Sequence, residues 1–399
     1  MSARNSIRRL APSEALFFDL GVFVGYSVRV RGVLDIPALS AAFEALRRSY
    51  PVLAAHVEIV DGHHLLVESP GPLPGVSVYA GDPGQPLSGA NLDWGRALSG
   101  LHVVYDGDCA SVTLVTHHCI ADGHHSVAML IDLWSLFTDT VGGRTPDTVL
   151  HDYPESMEKL FADRGISPPD IGSAEPARSA GIQLPAPGCT EPDRTMTQLR
   201  CHLSARVTDE LIAFGRRHGV TVNGLVSAAI VRTEADVRNL RLADITYSYL
   251  VDLRTHVTPP VEFTAGTNVI GFAVYRAPAG SIELIDLARG INEQLRTDLA
   301  DGRIQREALI AANNPAPPEC GEVRCSNGGV VPPLRSPAGL EPVDCRPVPT
   351  GFPFPLYTIH RFSGRLSIEL FVPAGESGDD IDAARRRIAT LESHLRCLV

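Results

Sequence analysis

THHCIADGHHS, residues Thr116 to Ser126, is the one segment of the chain dense enough in titratable groups to suggest chemistry; it holds four of the 14 histidines. A histidine changes charge near neutral pH, so one set against a substrate can pass a proton between reacting groups. Upstream, Ala110 to Thr116 (ASVTLVT) has the β-branched composition of a buried strand, which predicts that His117 and His118 lie at a strand end. Downstream, Ser126 to Phe137 (SVAMLIDLWSLF) spaces Val127, Leu130, Ile131, Trp134 and Phe137 at helical intervals, with Ser126 as the expected N-cap. The segment therefore reads as strand, tight turn and helix. Gly123 is expected to give the turn its conformational freedom and to leave room for a ligand near the backbone. Neighbouring residues of an extended segment face opposite sides, so only one of the two histidines can face a given cavity.

Asp122 has two readings. It orients the catalytic imidazole directly, as the acid of a Ser-His-Asp triad does, or it anchors the loop through an arginine. Tyr247 to Arg254 (YSYLVDLR) is an apolar strand ending in a charge, and an arginine there can pair bidentately with a partly buried carboxylate. The expectation is that Asp122 pairs with Arg254 and serves geometry rather than proton transfer.

His117-His118-Cys119-Ile120-Ala121-Asp122-Gly123 matches the HHxxxDG signature of the condensation-domain and chloramphenicol-acetyltransferase-like superfamily. The chain more closely resembles the polyketide-associated, phthiocerol dimycocerosyl transferase-like acyltransferases of actinobacteria, which acylate hydroxyls of polyketide-derived lipids. Three further segments carry the likeness in order: Leu34 to Val57, similar to the family's first helix and its exit; Val220 to Ile230, similar to the helix opening the second half; and Val251 to Gly271, with Arg254 and Gly266-Thr267-Asn268. The DFGWG motif of the plant relatives is absent, which favours the bacterial branch.

The resemblance implies an α/β fold of two chloramphenicol-acetyltransferase-like subdomains, a V-shaped pseudo-dimer with a central channel, acting as a monomer. Carried over residue by residue, it makes His118 the general base, His117 a support of the loop, and Asp122 and Arg254 the structural pair around Gly123. Ser326 and Asn327, in Cys325 to Gly329 (CSNGG), resemble a loop at the channel and are candidate oxyanion donors; an ordinary Asn-Gly turn is the alternative. The donor would be an acyl thioester of coenzyme A or an acyl carrier protein, with no other cofactor and no covalent acyl-enzyme. The acceptor would be an alcohol of a polyketide or lipid. Acceptor identity stays open, and the compact chain leans toward a small donor such as acetyl.

A chain of 399 residues exceeds one ordinary core, so two domains are expected. Gly165 to Thr195 is rich in Pro, Gly, Ala and Ser and reads as a crossover, giving subdomains over 1–175 and 198–399 with a linker over 176–197. A second Pro-rich stretch, Asn313 to Pro355, reads as family segments crossing between the halves or as a surface loop. The basic residues are 34 Arg and one Lys, Lys159, the bias of a high-GC genome. A net charge of −11 argues against nucleic acid as a partner. Eight cysteines without paired CxxC spacing read as reduced thiols, and the apolar start is broken by Pro12, Glu14 and Asp19. These point to a cytoplasmic protein with no transmembrane helix.

Other chemistries compete for the same residues. His117, His118, Asp122, His124 and His125 are all conceivable metal ligands, which would make the chain a metal-dependent hydrolase, although their spacing matches no zinc pattern such as HExxH. Cys119 beside His118 invites a Cys-His dyad, against which stand its apolar neighbours. His124 and His125 read as solvated or channel-lining. An amide-forming condensation enzyme and a non-catalytic condensation-like binding module complete the alternatives.

Overall fold

A computed structural model describes residues 6–145, 148–168, 196–280, 282–311, 322–352, 354–373 and 378–399. It divides into two compact units, one of Met1–Arg164, Val257–Val269 and Pro332–Thr350, the other of Gly165–His256, Ile270–Val331 and Gly351–Val399. The expected linker over 176–197 lies outside the described residues except for Met196 and Thr197, which open a strand.

The first unit runs β1 (Ser6–Arg9), α1 (Pro12–Leu20), β2 (Phe23–Arg31), α2 (Ile36–Ser49), β3 (Ala55–Val60), β4 (His63–Glu68), β5 (Ser77–Ala80), β6 (Ser99–Asp106), β7 (Cys109–His117), α3 (Gly123–Val141) and α4 (Met157–Ala162). Strands β1, β4 and β3 form a small antiparallel sheet. The main sheet has five strands, with β7 between β2 and β6, β5 parallel to β6 at one edge, and the strand Glu341–Pro347 antiparallel to β2 at the other. A strand covered on both faces has no reason to alternate polar residues, and the continuous ASVTLVT run is the buried β7. Helix α3 packs on α2 and buries Val127, Leu130, Trp134 and Phe137 of the stripe that the periodicity predicts, while Ile131 is only half-buried.

The second unit contains β8 (Met196–His202), α5 (Ala205–His218), α6 (Val222–Arg238), β9 (Thr246–Asp252), β10 (Ile270–Arg276), α7 (Leu284–Ala300), α8 (Arg303–Ala311) and β11 (Glu322–Val331). The chain then supplies Glu341–Pro347, β12, to the first unit and returns with β13 (Leu356–Phe362), β14 (Arg365–Pro373) and α9 (Gly378–Arg396). Its six-stranded sheet has the order β10-β9-β11-β13-β14-β8, parallel where β11 meets β9 and β13. Helix α5 ends at Gly219, whose φ of 69° is the left-handed conformation that glycine adopts without strain, and α6 starts on the Thr221 cap.

Two expectations can be set beside this description. A boundary drawn in chain order assigns 257–269 and 332–350 to the second half, whereas both segments fold with the first unit. The Pro-rich stretch 313–355 is no plain loop, because it contains β11 and β12; Pro342 and Pro347 are tolerated in β12 because it is an edge strand. No described helix is long and apolar enough to cross a membrane.

Candidate active site

Strand β7 ends at His117, and the chain turns through His118, Cys119 and Ile120 into α3. The helix starts one turn earlier than the sequence suggests. Asp122, not Ser126, is its N-cap, and its Oδ1 accepts the His125 N–H at 3.0 Å. Ser126 instead shares a 2.9 Å hydroxyl contact with Thr116. Gly123 is the first residue of the helix, so conformational freedom is not what it supplies. A methyl group there would sit 3.1 Å from Tyr26 Oη, and the requirement is space.

The two histidines point differently, as adjacent residues at a strand end should. His117 is buried, accepts the Cys119 N–H on Nδ1 at 3.3 Å, and lies among Phe18, Phe23 and Trp94. His118 stacks flat on Phe17, with ring centroids 4.0 Å apart and 3° between planes. Its Nδ1 is 2.8 Å from Asn268 Oδ1, and Asn268 Nδ2 donates to the His118 main-chain oxygen at 2.7 Å. Burial pushes the His118 pKa below the ordinary histidine value, against smaller opposing effects of hydrogen bonding and of the Asp122 charge. The ring is therefore mostly neutral at neutral pH.

Asp122 fastens a distant piece of chain to this turn. Its Oδ2 accepts the Val269 N–H at 3.0 Å, and its own N–H donates to Thr267 O at 2.8 Å, so Asn268 sits between two anchored neighbours. His125, far from being solvated, is fully buried with Nδ1 3.2 Å from Gly266 O. His124 lies over Phe263. From the N-terminal side, Glu14 of α1 accepts a hydrogen bond from Thr267 Oγ1 at 2.9 Å and forms a two-point pair with Arg8 at 2.6 and 2.7 Å. Glu14 and Phe17 escape the sequence reading as site residues, and Asn268 enters it only as part of the family-like Gly266-Thr267-Asn268 segment, with no role assigned. A buried acid amid PSEALFF and the polar pair Thr267-Asn268 inside an apolar stretch were the available signals.

The thiol chemistry finds little support in these surroundings. Cys119 is completely buried, and burial followed by the Glu14 charge raises its pKa well above the usual thiol value, so the reactive thiolate is suppressed. Among the described residues, no three His, Cys, Asp or Glu side chains are grouped as a metal site requires. Arg254, in the second unit, is buried, with its N–H and Nη1 each 3.1 Å from Asp252 Oδ1. Ser326 and Asn327 lie within β11 rather than in a turn. The strand bulges between Asn327 and Gly329, where Asn327 Oδ1 accepts the Gly329 N–H at 2.9 Å.

Residues 192–371 match the family model of the phthiocerol/phthiodiolone dimycocerosyl transferase C-terminus. Phthiocerol/phthiodiolone dimycocerosyl transferase of Mycobacterium tuberculosis is 36% identical to the chain over 97% of each, and that of Mycobacterium leprae 34% over 98% of each. The chain belongs to this family. Among solved structures, polyketide synthase associated protein 5 of M. tuberculosis is similar, with a TM-score of 0.81, 34% identity and coverage of 98% of this chain and 99% of that one. The first condensation domain of the calcium-dependent antibiotic synthetase, at 15% identity and a TM-score of 0.68 over 98% and 97% of the chains, shares the fold. This member of the dimycocerosyl transferase family is thus an acyltransferase with the two-part chloramphenicol-acetyltransferase-like α/β fold.

Proposed function

We propose that the enzyme moves an acyl group from a coenzyme A or acyl-carrier-protein thioester to a hydroxyl of a polyketide-derived lipid, with His118 as the general base. The observation that carries this reading is the buried, neutral His118 ring held between Phe17 and Asn268 in an intact HHxxxDG segment. His118 takes the proton of the acceptor hydroxyl as that oxygen attacks the thioester carbonyl. A tetrahedral intermediate forms, the carbon–sulfur bond breaks, and the proton passes to the departing thiolate, so no acyl-enzyme and no cofactor are needed. Ser326 and Asn327 are the proposed donors to the oxyanion. His117, Asp122, Gly123 and Arg254 are structural supports rather than proton carriers.

The relatives' name, phthiocerol/phthiodiolone dimycocerosyl transferase, supports a lipid acceptor and sets a mycocerosyl thioester beside acetyl-CoA as the donor to offer. The test is mass spectrometry of products from a donor series with lipid diols and with amines as acceptors. Ester products carrying the donor's acyl group are expected. Amide products with no ester, or release of free acid independent of any acceptor, would overturn the assignment.

A further inference from the structure

We propose that Asn268 is a positioning residue that fixes the tautomer of His118, keeping the ring proton on Nδ1 and the basic lone pair on Nε2. The proposal rests on the reading of His118 as the base, and it starts from the two ends of one amide. A main-chain carbonyl oxygen only accepts, so the group 2.7 Å from His118 O is the Asn268 amide nitrogen. The amide oxygen then faces His118 Nδ1 at 2.8 Å, and that oxygen is satisfied only if Nδ1 carries a proton. Reversing the amide would oppose two oxygens at the main chain. Moving the ring proton to Nε2 would oppose two lone pairs at the ring. One arrangement satisfies both bonds, and both residues are buried, where an unmade hydrogen bond is costly.

Other groups hold the clamp still. Phe17 lies against the ring face, and Asn268 is carried by Thr267 and Val269, both bonded to Asp122. Asp122 is the charged group whose field reaches the ring. On α1, packed against the ring through Phe17, the ionisable groups are Glu14, paired with Arg8, and Asp19, paired with His64. Asn268 is uncharged, so it orders the ring without stabilising the imidazolium as a carboxylate would. It also lies 150 residues from His118, so nothing local in the HHxxxDG segment reveals it.

The test uses the full chain labelled with 15N-histidine, with the His118 ring resonances assigned by difference from His118→Ala. In the native protein, the ring nitrogen shifts are expected to show Nδ1 protonated and Nε2 bearing the lone pair. Asn268→Ala is expected to populate the other tautomer and lower turnover by about 10- to 100-fold, the range for lost orienting partners. Asn268→Asp should raise the pH at which activity falls on the acid side, because a carboxylate favours the imidazolium. If Asn268→Ala does not fold, Asn268→Ser, which keeps a hydroxyl acceptor, replaces it and should retain more of the native tautomer than Asn268→Asp retains of the native pH profile. An unchanged tautomer and pH profile in the folded variants would overturn the proposal. Acyl transfer that survives in His118→Ala would instead refute the base assignment and leave the tautomer result standing.

Discussion

At the residue scale, the proposed base His118 is neutral because of where it is buried rather than because of a charged partner. Burial dominates its lowered pKa, so kcat/KM for acyl transfer should fall on the acid side at a pH below 6.5, the ordinary value, and stay flat above it. Between the lowered and the ordinary pKa, the unfolded chain binds more protons than the folded one. The stability tied to this ring is therefore present above the ordinary value and declines as pH drops through that window, a trend that denaturant titrations across pH would measure. Cys119→Ala should keep turnover within about twofold of the native enzyme, since its thiol is buried and protonated; a loss of several orders of magnitude would restore the Cys-His dyad. The motif histidines and Asp122 were legible because their spacing is local. Asn268 was not, because its meaning comes from a hydrogen bond across 150 residues.

Elements explain why the turn keeps its shape. Helix α1 supplies Phe17 to the His118 ring and Glu14 to Arg8 and Thr267, so one short helix braces both sides of the site. Glu14→Ala takes the carboxylate from Arg8, which keeps Pro154 O, and from the buried Thr267 hydroxyl, which keeps only Glu155 O at 3.5 Å, and should cost up to about 3 kcal/mol in urea unfolding, the low end for breaking a buried ion pair because Arg8 is partly exposed. Asp122→Ala strips an acceptor from the His125 and Val269 N–H groups, at about 1–3 kcal/mol for each buried donor left unmade. Soluble yield should suffer along with activity. A variant that folds normally and is inactive would make Asp122 a direct orienter of the imidazole. The sequence announced α3 by its apolar stripe but misplaced its cap by four residues, because Ser and Asp are both good caps and only the fold decides which carboxylate or hydroxyl reaches the first turn. Likewise CSNGG has turn composition, and its place in β11 is decided by parallel pairing with strands far away in sequence.

On the scale of the whole molecule, the chain interleaves. The first unit takes Asn268 from 257–269 and its edge strand β12 from 332–350, so a fragment ending at Arg164 lacks a strand of its main sheet and the hydrogen-bond partner of His118. Expressed alone, residues 1–164 should give poorly dispersed amide resonances, whereas an independently folded fragment would contradict the interleaved description. Composition could predict two units from length, but no local signal marks a strand that leaves one unit to complete another. Such a crossing is selected by sheet pairing, not by propensity. The account's central claim is thioester chemistry at His118, and its most direct measurement is thiol release from acyl-CoA donors in the presence of a lipid alcohol, comparing the native enzyme with a folded His118→Ala variant. The account predicts release by the native enzyme that falls by about 10²- to 10⁴-fold in the variant, the usual share of a general base. Equal release by both would contradict it.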